Sequence, residues 1–246
     1  MYQHSGAQHY TIKNINPYIT AKWCIGVALA SRIHLEILEQ IRSEVRHLYS
    51  TSEDTKIAIL SEIWAIFYMC LKRFRYSDDP HGVELMYHPV EMIRRWQRFD
   101  GRWLEDCESL AAFVLTCLLA LGRKARICVV AYEPMTNDAG QIVDWPYLHI
   151  FVECFVPVEN KWVMVDPSMG FRGRTFVVAR DTRKIFRMYP PDLNEPIKWE
   201  VIDLIHGTIQ RGIDSGQDPL SFPRQFNPGV LSAPRFQYAT TQEIVA

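Results

Sequence analysis

Three residues of this sequence have side chains that could carry out nucleophilic chemistry together: Cys107, His149 and Asp166. Cys107 follows Asp106 at the start of an apolar segment that predicts a helix. Backbone N–H groups at a helix N-terminus carry partial positive charge, so they ease ionisation of a thiol and can bind a developing oxyanion. Position alone favours a buried structural cysteine, because other cysteines of the chain also lie in apolar segments.

His149 is the candidate base. It lies in the apolar segment 148–156, which predicts a strand, and alternation places it on the same face as Phe151 and Glu153. A lone histidine in a strand is more often structural. However, a base that activates a cysteine must sit on a rigid element beside the thiol, and a strand is such an element.

Asp166 follows the next predicted strand and is the candidate third member. A four-residue hairpin loop would pair Val156 with Lys161, and Phe151 would then face Asp166. In that register Asp166 is a diagonal neighbour of His149 on the same face, roughly 7–8 Å away between backbones. A carboxylate at that separation can orient an imidazole by a hydrogen bond. A bulge or an odd-length loop would turn Asp166 to the other face.

Hydrophobic periodicity predicts the elements that must position these residues. Helices are predicted over residues 20–49, from Ser52 onward, over 89–98 and, most clearly, over 104–122. The last is apolar nearly all round, so it should be central and buried, and Gly122 suits its C-terminus. Strands are predicted over 125–132, 148–156, 162–165 and 175–179, with a long flap over 133–146 and a further helix over 201–213.

The length and composition favour one folded domain with terminal arms. The chain has 246 residues and is 48% hydrophobic, which is enough for a sizeable core. Residues 1–20 are polar and predict an N-terminal arm. Composition shifts after Met188, so residues 189–246 predict a C-terminal extension that ends in a tail rich in Pro, Gly, Gln and Ser. The folded domain is therefore predicted over 21–188.

Charge and cysteine usage exclude several classes of function. The net charge is -1, which gives no electrostatic reason to expect nucleic acid or an acidic membrane as a partner. The sequence has no apolar stretch long enough to span a membrane and no signal peptide, so its six cysteines indicate a reduced, cytoplasmic context. Cys107 and His149 have no second ligand pair at suitable spacing, so we expect no metal and no cofactor.

Three motifs resemble the transglutaminase-like superfamily, whose members have the papain-like cysteine hydrolase fold. Residues 105–126 read Glu-Asp-Cys-Glu, an apolar helix, then Leu-Gly-Arg-Lys-Ala-Arg; the family typically has Gly-Asp-Cys, such a helix, then Leu-Gly-x-x-Ala-Arg. Residues 148–153, Leu-His-Ile-Phe-Val-Glu, are similar to its histidine strand. Residues 162–167, Trp-Val-Met-Val-Asp-Pro, are similar to its Trp-x-x-x-Asp-Pro strand. The resemblance covers residues 55–170.

The resemblance implies an α+β fold in which a helical N-terminal layer and a central helix pack on an antiparallel sheet. It implies a Cys-His-Asp triad that acts on amide bonds of a protein or peptide through a thioester. Cys107 would be the nucleophile, His149 the general base and acid, and Asp166 the residue that orients His149. One departure is Glu105, which stands where the family has glycine and adds charge near the thiol, disfavouring the thiolate.

Residues 74–89 are similar to the lead-in of transglutaminase-like proteins of tailed bacteriophages and prophages. They contain Arg-Tyr-Ser-Asp-Asp-Pro and then Glu-Leu followed by Pro89. This resemblance implies a location in the host cytoplasm or the virion. It leaves open a second hypothesis, a virion structural or assembly protein that keeps the fold with little or no catalysis. Its partners would be phage structural proteins, or copies of itself bound through the terminal arms.

Overall fold

A computed structural model of the chain describes residues 7–11, 17–45, 55–79, 83–99, 103–131, 135–144, 147–171, 184–192, 195–204 and 207–213. The helices are α1 (Pro17–Ser31), α2 (Leu35–Val45), α3 (Thr55–Arg73), α4 (Pro89–Phe99), α5 (Cys107–Ala120) and α6 (Pro167–Gly170). The strands are β1 (Ala7–Thr11), β2 (Phe74–Tyr76), β3 (Val83–Tyr87), β4 (Trp103–Glu105), β5 (Ala125–Ala131), β6 (Met135–Thr136), β7 (Ile142–Asp144), β8 (Tyr147–Val156), β9 (Lys161–Val165), β10 (Lys184–Tyr189), β11 (Lys198–Asp203) and β12 (Thr208–Ile213).

The molecule is built on one six-stranded antiparallel sheet with helices packed against it. The strand order is β12-β11-β10-β5-β8-β9. Alternation along the strands points Ile127, Val129, Ile150 and Val152 into the same buried cluster as α1 and α5. The predicted α+β class with an antiparallel sheet is therefore correct. In the part of the chain that the structure describes, none of the helices could cross a membrane.

Helix α5 lies at the centre, as its sequence predicts. Its side chains from Cys107 to Leu118 are buried nearly without exception, and Phe113 contacts Phe74 and Trp96 with ring centroids 5.4 and 5.6 Å apart. The helix begins at Cys107 and not at residue 104, because residues 103–105 form a strand that pairs in parallel with β2. Asp106 caps the helix by accepting a hydrogen bond from the Ser109 backbone N–H at 2.9 Å.

The β8–β9 hairpin has the register that the sequence predicts. Val156 pairs with Lys161, and the pairing continues without a shift to Val152 opposite Val165. A short 3₁₀ turn joins the two strands and ends at Asn160, whose φ of 50° is tolerated better by asparagine than by most residues. Extending this register by one residue places Asp166 opposite Phe151. Because Phe151 and His149 are on the same face of β8, the Asp166 side chain is on that face too.

Two predictions of local structure are wrong. Residues 20–49 do not form one helix, because a turn at 32–34 separates α1 from α2. Residues 201–213 do not form a helix but contribute to β11 and β12, which pair antiparallel. The pattern there has a period of two: Trp199 and Val201 pack on the main core, while Glu200 points to the opposite face.

Other predictions are only partly covered by the structure. The predicted flap contains a two-stranded ribbon of β6 and β7. The strand predicted over 175–179 lies outside the described residues, as do residues 1–6 and the tail over 214–246. The division of the chain into 1–20, 21–188 and 189–246 stays a prediction.

The face of the sheet opposite α5 is crossed by an ion-pair network centred on Arg126. The guanidinium of Arg126 donates to Glu153 Oε2 at 2.6 Å and to the hydroxyl of Tyr189, and it lies 3.4 Å from Glu200 Oε1. It also stacks on the ring of Trp162, 3.9 Å from the centroid. Arg126 is 5% exposed, so this single side chain ties β5 to β8, β9, β10 and β11 in a region that water barely reaches.

We expect Arg126→Ala to destabilise the protein by about 1–3 kcal/mol, because it removes the buried cation that Glu153 and Glu200 share. The two carboxylates keep their ion pairs with Arg187 at 3.3 Å and Arg211 at 3.4 Å. The free energy of unfolding in urea measures this. Lys198→Ala is the matched control: Lys198 pairs with Glu195 at the surface, where both side chains are about half exposed, and its loss should leave the free energy of unfolding nearly unchanged. Equal effects of the two variants would contradict the assignment.

Candidate active site

Asp166 is fixed by hydrogen bonds on both of its carboxylate oxygens. It precedes Pro167, which begins α6, and its Oδ1 accepts from the Ser168 backbone N–H at 3.1 Å and from Ser168 Oγ at 2.6 Å. Its Oδ2 lies 2.6 Å from Nε2 of His149. The carboxylate is 5% exposed, so both contacts are sheltered from solvent. The predicted contact between His149 and Asp166 is therefore confirmed.

His149 is held in one orientation by its neighbours on the sheet. It pairs with Val130 of β5, and its ring stacks on Phe151 with centroids 6.1 Å apart and planes 26° apart. Since an ionised carboxylate only accepts hydrogen bonds, Nε2 of His149 donates to Asp166. In the neutral imidazole this places the basic lone pair on Nδ1, which is the nitrogen that could take a proton from a thiol.

Cys107 is the first residue of α5 and lies against β8. Its thiol donates to Glu108 Oε2 at 3.1 Å, and it is within hydrogen-bonding reach of the backbone of Ile150, the residue after His149. The side chain is 8% exposed. The structure thus brings His149 and Asp166 into direct contact and places Cys107 beside the same segment of β8. The hydrogen bond of the thiol goes to Glu108.

The surroundings of Cys107 oppose its ionisation. Burial, then the negative charges of Glu108 and Asp106, raise the pKa of the Cys107 thiol well above its ordinary value, and the Ile150 backbone only partly offsets them. The helix N-terminus contributes roughly half a positive charge, which is less than the full negative charge of one adjacent carboxylate. Any easing of ionisation by the helix start is therefore outweighed at this thiol.

Glu105, the departure from the family pattern, is buried rather than exposed beside the thiol. Burial raises the pKa of Glu105 to about 8, although Ser109, Arg95 and Trp103 act in the opposite direction. Burial and the charges of Glu108 and Asp79 likewise raise the pKa of Asp106. Several carboxyl groups thus crowd the start of α5, and each makes ionisation of its neighbours harder.

Sequence reasoning did not identify the part that three residues play at this site. Ser168 donates a hydrogen bond to Oδ1 of Asp166. The Asp-Pro-Ser sequence could have indicated this, because an aspartate before a proline is typical of a helix cap. Glu108 accepts the thiol hydrogen bond, and its signal is adjacency to Cys107 in the first helical turn. Tyr76 has no such signal: burial and the nearby Cys107 and Asp78 raise its pKa, so its phenol stays protonated.

Within the described ranges, the His, Cys, Asp and Glu side chains form no group of three or more that could hold a metal ion.

Comparisons with known proteins give distant structural similarities. No protein-family model matches the chain, and no curated protein matches it. Among solved structures, the chain is similar to a candidate cysteine protease from Cytophaga hutchinsonii, with 14% identity and a TM-score of 0.36 over 59% of this chain and 39% of that one. It is also similar to a chain in the structure of Rad4–Rad23 bound to a 6-4 photoproduct UV lesion, with 11% identity and a TM-score of 0.31 over 70% and 42%. The chain spans less than half the length of either.

Proposed function

We propose that this protein is a transglutaminase-like cysteine hydrolase or acyltransferase that acts on amide bonds of a protein or peptide. The observation that supports the proposal is the 2.6 Å contact between His149 Nε2 and Asp166 Oδ2. His149 lies on β8, and the residue after it, Ile150, interacts through its backbone with the Cys107 thiol. In this proposal the core is papain-like, with the nucleophile at the N-terminus of a central helix.

The chemistry would proceed through a thioester. His149 Nδ1 takes the proton from Cys107, and the sulfur attacks the amide carbonyl carbon. The oxyanion that forms accepts a hydrogen bond from the Cys107 backbone N–H, at the positive end of α5. The C–N bond then breaks, and the amine leaves with the proton from His149. Water regenerates the thiol and yields an acid, whereas an incoming amine yields a new amide.

The raised pKa of Cys107 restricts how the nucleophile can form. A preformed thiolate–imidazolium pair requires a thiol that ionises more readily than usual. The raised pKa of Cys107 means that its thiol ionises less readily. The sulfur therefore has to lose its proton to His149 as the attack takes place. Asp166 assists this step because its carboxylate stabilises the imidazolium that forms.

A second candidate is an assembly protein that keeps this fold with little or no catalysis. The observation that favours it is the hydrogen bond from Cys107 Sγ to Glu108 Oε2, since a nucleophile has no need of an acidic partner that keeps it protonated. In a phage setting its partners would be virion proteins or further copies of the chain. A Cys107→Ala variant that still supports assembly would favour this candidate.

We expect Cys107 to form a covalent adduct with a carbonyl carbon when the protein is incubated with a library of glutamine-containing peptides. Mass spectrometry of the intact and digested protein, with a fluorescent primary amine as competing acceptor, detects the thioester and the transferred product. Cys107→Ala should abolish both. Cys117→Ala is the matched control, because Cys117 lies on the same helix and is fully buried away from the helix start; it should keep both.

We expect Asp166→Asn to lower the rate of thioester formation by about 10³–10⁴-fold, because an amide cannot stabilise the imidazolium. The variant should still fold, since its amide oxygen can accept the hydrogen bonds that Ser168 now donates to Oδ1. Ser168→Ala keeps the carboxylate and removes one hydrogen bond, so its loss should be about tenfold. Single-turnover rates on the same peptide compare the two. A smaller loss in Asp166→Asn than in Ser168→Ala would contradict the triad.

A further inference from the structure

We propose that Glu108 is a positioning residue that holds Cys107 as its neutral thiol in the resting protein, so that the nucleophile forms only when the hydrogen bond between Sγ and Oε2 is broken. We call this hydrogen bond between Cys107 Sγ and Glu108 Oε2 the latch. The inference rests on the proposed function, because the latch matters only if Cys107 is the nucleophile. It adds a role that the Cys-His-Asp triad does not contain.

The geometry holds Glu108 at the sulfur. Its Oε2 lies 3.1 Å from Cys107 Sγ, which is within the range for a hydrogen bond that involves sulfur. Its backbone carbonyl accepts from the thiol of Cys24 on α1, with Sγ 3.7 Å from the oxygen. Glu108 therefore lies between two buried cysteines, in the first turn of a helix that is packed on both sides.

The contact competes with the proposed base for one proton. A thiol has a single hydrogen, and when it is donated to Oε2 it is not directed at Nδ1 of His149. The negative charge on Glu108 also makes a second negative charge on the adjacent sulfur unfavourable, most of all where water is excluded. Both effects keep the sulfur protonated.

Other charged and titratable groups face the thiol from the elements packed around it. They include Asp106 at the cap of α5 and Tyr76 on β2, and His149 is one residue from the point of contact on β8. Cys24 on α1 instead donates to the backbone carbonyl of Glu108. Glu108 differs from them because it makes the hydrogen bond to the sulfur itself. A bound substrate that offers an N–H group to Oε2 would replace the thiol there and release its proton to His149.

The test is the pH dependence of alkylation at Cys107. Wild type, Glu108→Gln and Glu39→Gln are treated with iodoacetamide between pH 6 and 10, and the rate at each cysteine is followed by mass spectrometry. Glutamine keeps the size and the acceptor oxygen of Glu108 but not its charge. Glu39 is exposed on α2, so Glu39→Gln controls for the change in net charge.

We expect Glu108→Gln to lower the apparent pKa of labelling and to speed labelling at neutral pH by roughly threefold for each unit by which that pKa falls. Glu39→Gln should match wild type. An unchanged profile in Glu108→Gln would overturn the latch. Slower labelling would also overturn it, because it would mean that Glu108 helps to remove the proton.

Two further measurements separate this result from other causes. Thermal unfolding of the variants should agree to within a few degrees, so that faster labelling is not a sign of general loosening; a large drop in Tm together with faster labelling at every cysteine would count against the latch. Adduct formation with peptides is scored separately. If Glu108→Gln labels faster but neither protein forms a thioester, the contact stands and the proposed function fails.

Discussion

The packing of α5 against one face of the sheet is the contact on which the rest of the structure depends. The helix is apolar on nearly every side, and each fully buried large side chain, such as Phe113 or Leu110, contributes about 1.5–3 kcal/mol relative to an exposed one. The helix is therefore fixed between α1 and the strands β5 and β8. Because it is fixed, its first residue, Cys107, has a defined position beside Ile150.

The same burial sets the electrostatics of the site. A helix start that is packed into the core buries its cap residue, Asp106, in a region of low dielectric, and it brings the partly buried Glu108 beside the thiol. There the charge of a carboxylate acts strongly on a neighbouring thiol, while the partial charge of the helix end is smaller. Burial thus fixes the position of Cys107 and raises the pKa of its thiol for the same physical reason.

The arrangement of His149 and Asp166 could be predicted from the sequence because strand parity is a strict rule. Once the loop after Val156 has four residues, every side chain on both strands has an assigned face. The protonation state of Cys107 could not be predicted in this way. It depends on which side-chain rotamer Glu108 adopts and on how deeply the helix start is buried, and neither follows from spacing. The β11–β12 hairpin was missed because its pattern of two is short and its outer strand is exposed.

The Glu108 contact bears on both candidate functions because it separates the position of the thiol from its reactivity. A protein that no longer needs catalysis loses nothing by keeping an acid at the sulfur. An acyltransferase gains protection, since a thiol that stays protonated until substrate displaces its hydrogen bond is less open to alkylation and oxidation. The difference lies in whether the proton has somewhere to go. In the proposed function it goes to Nδ1 of His149, which is left as the basic nitrogen because Asp166 holds Nε2.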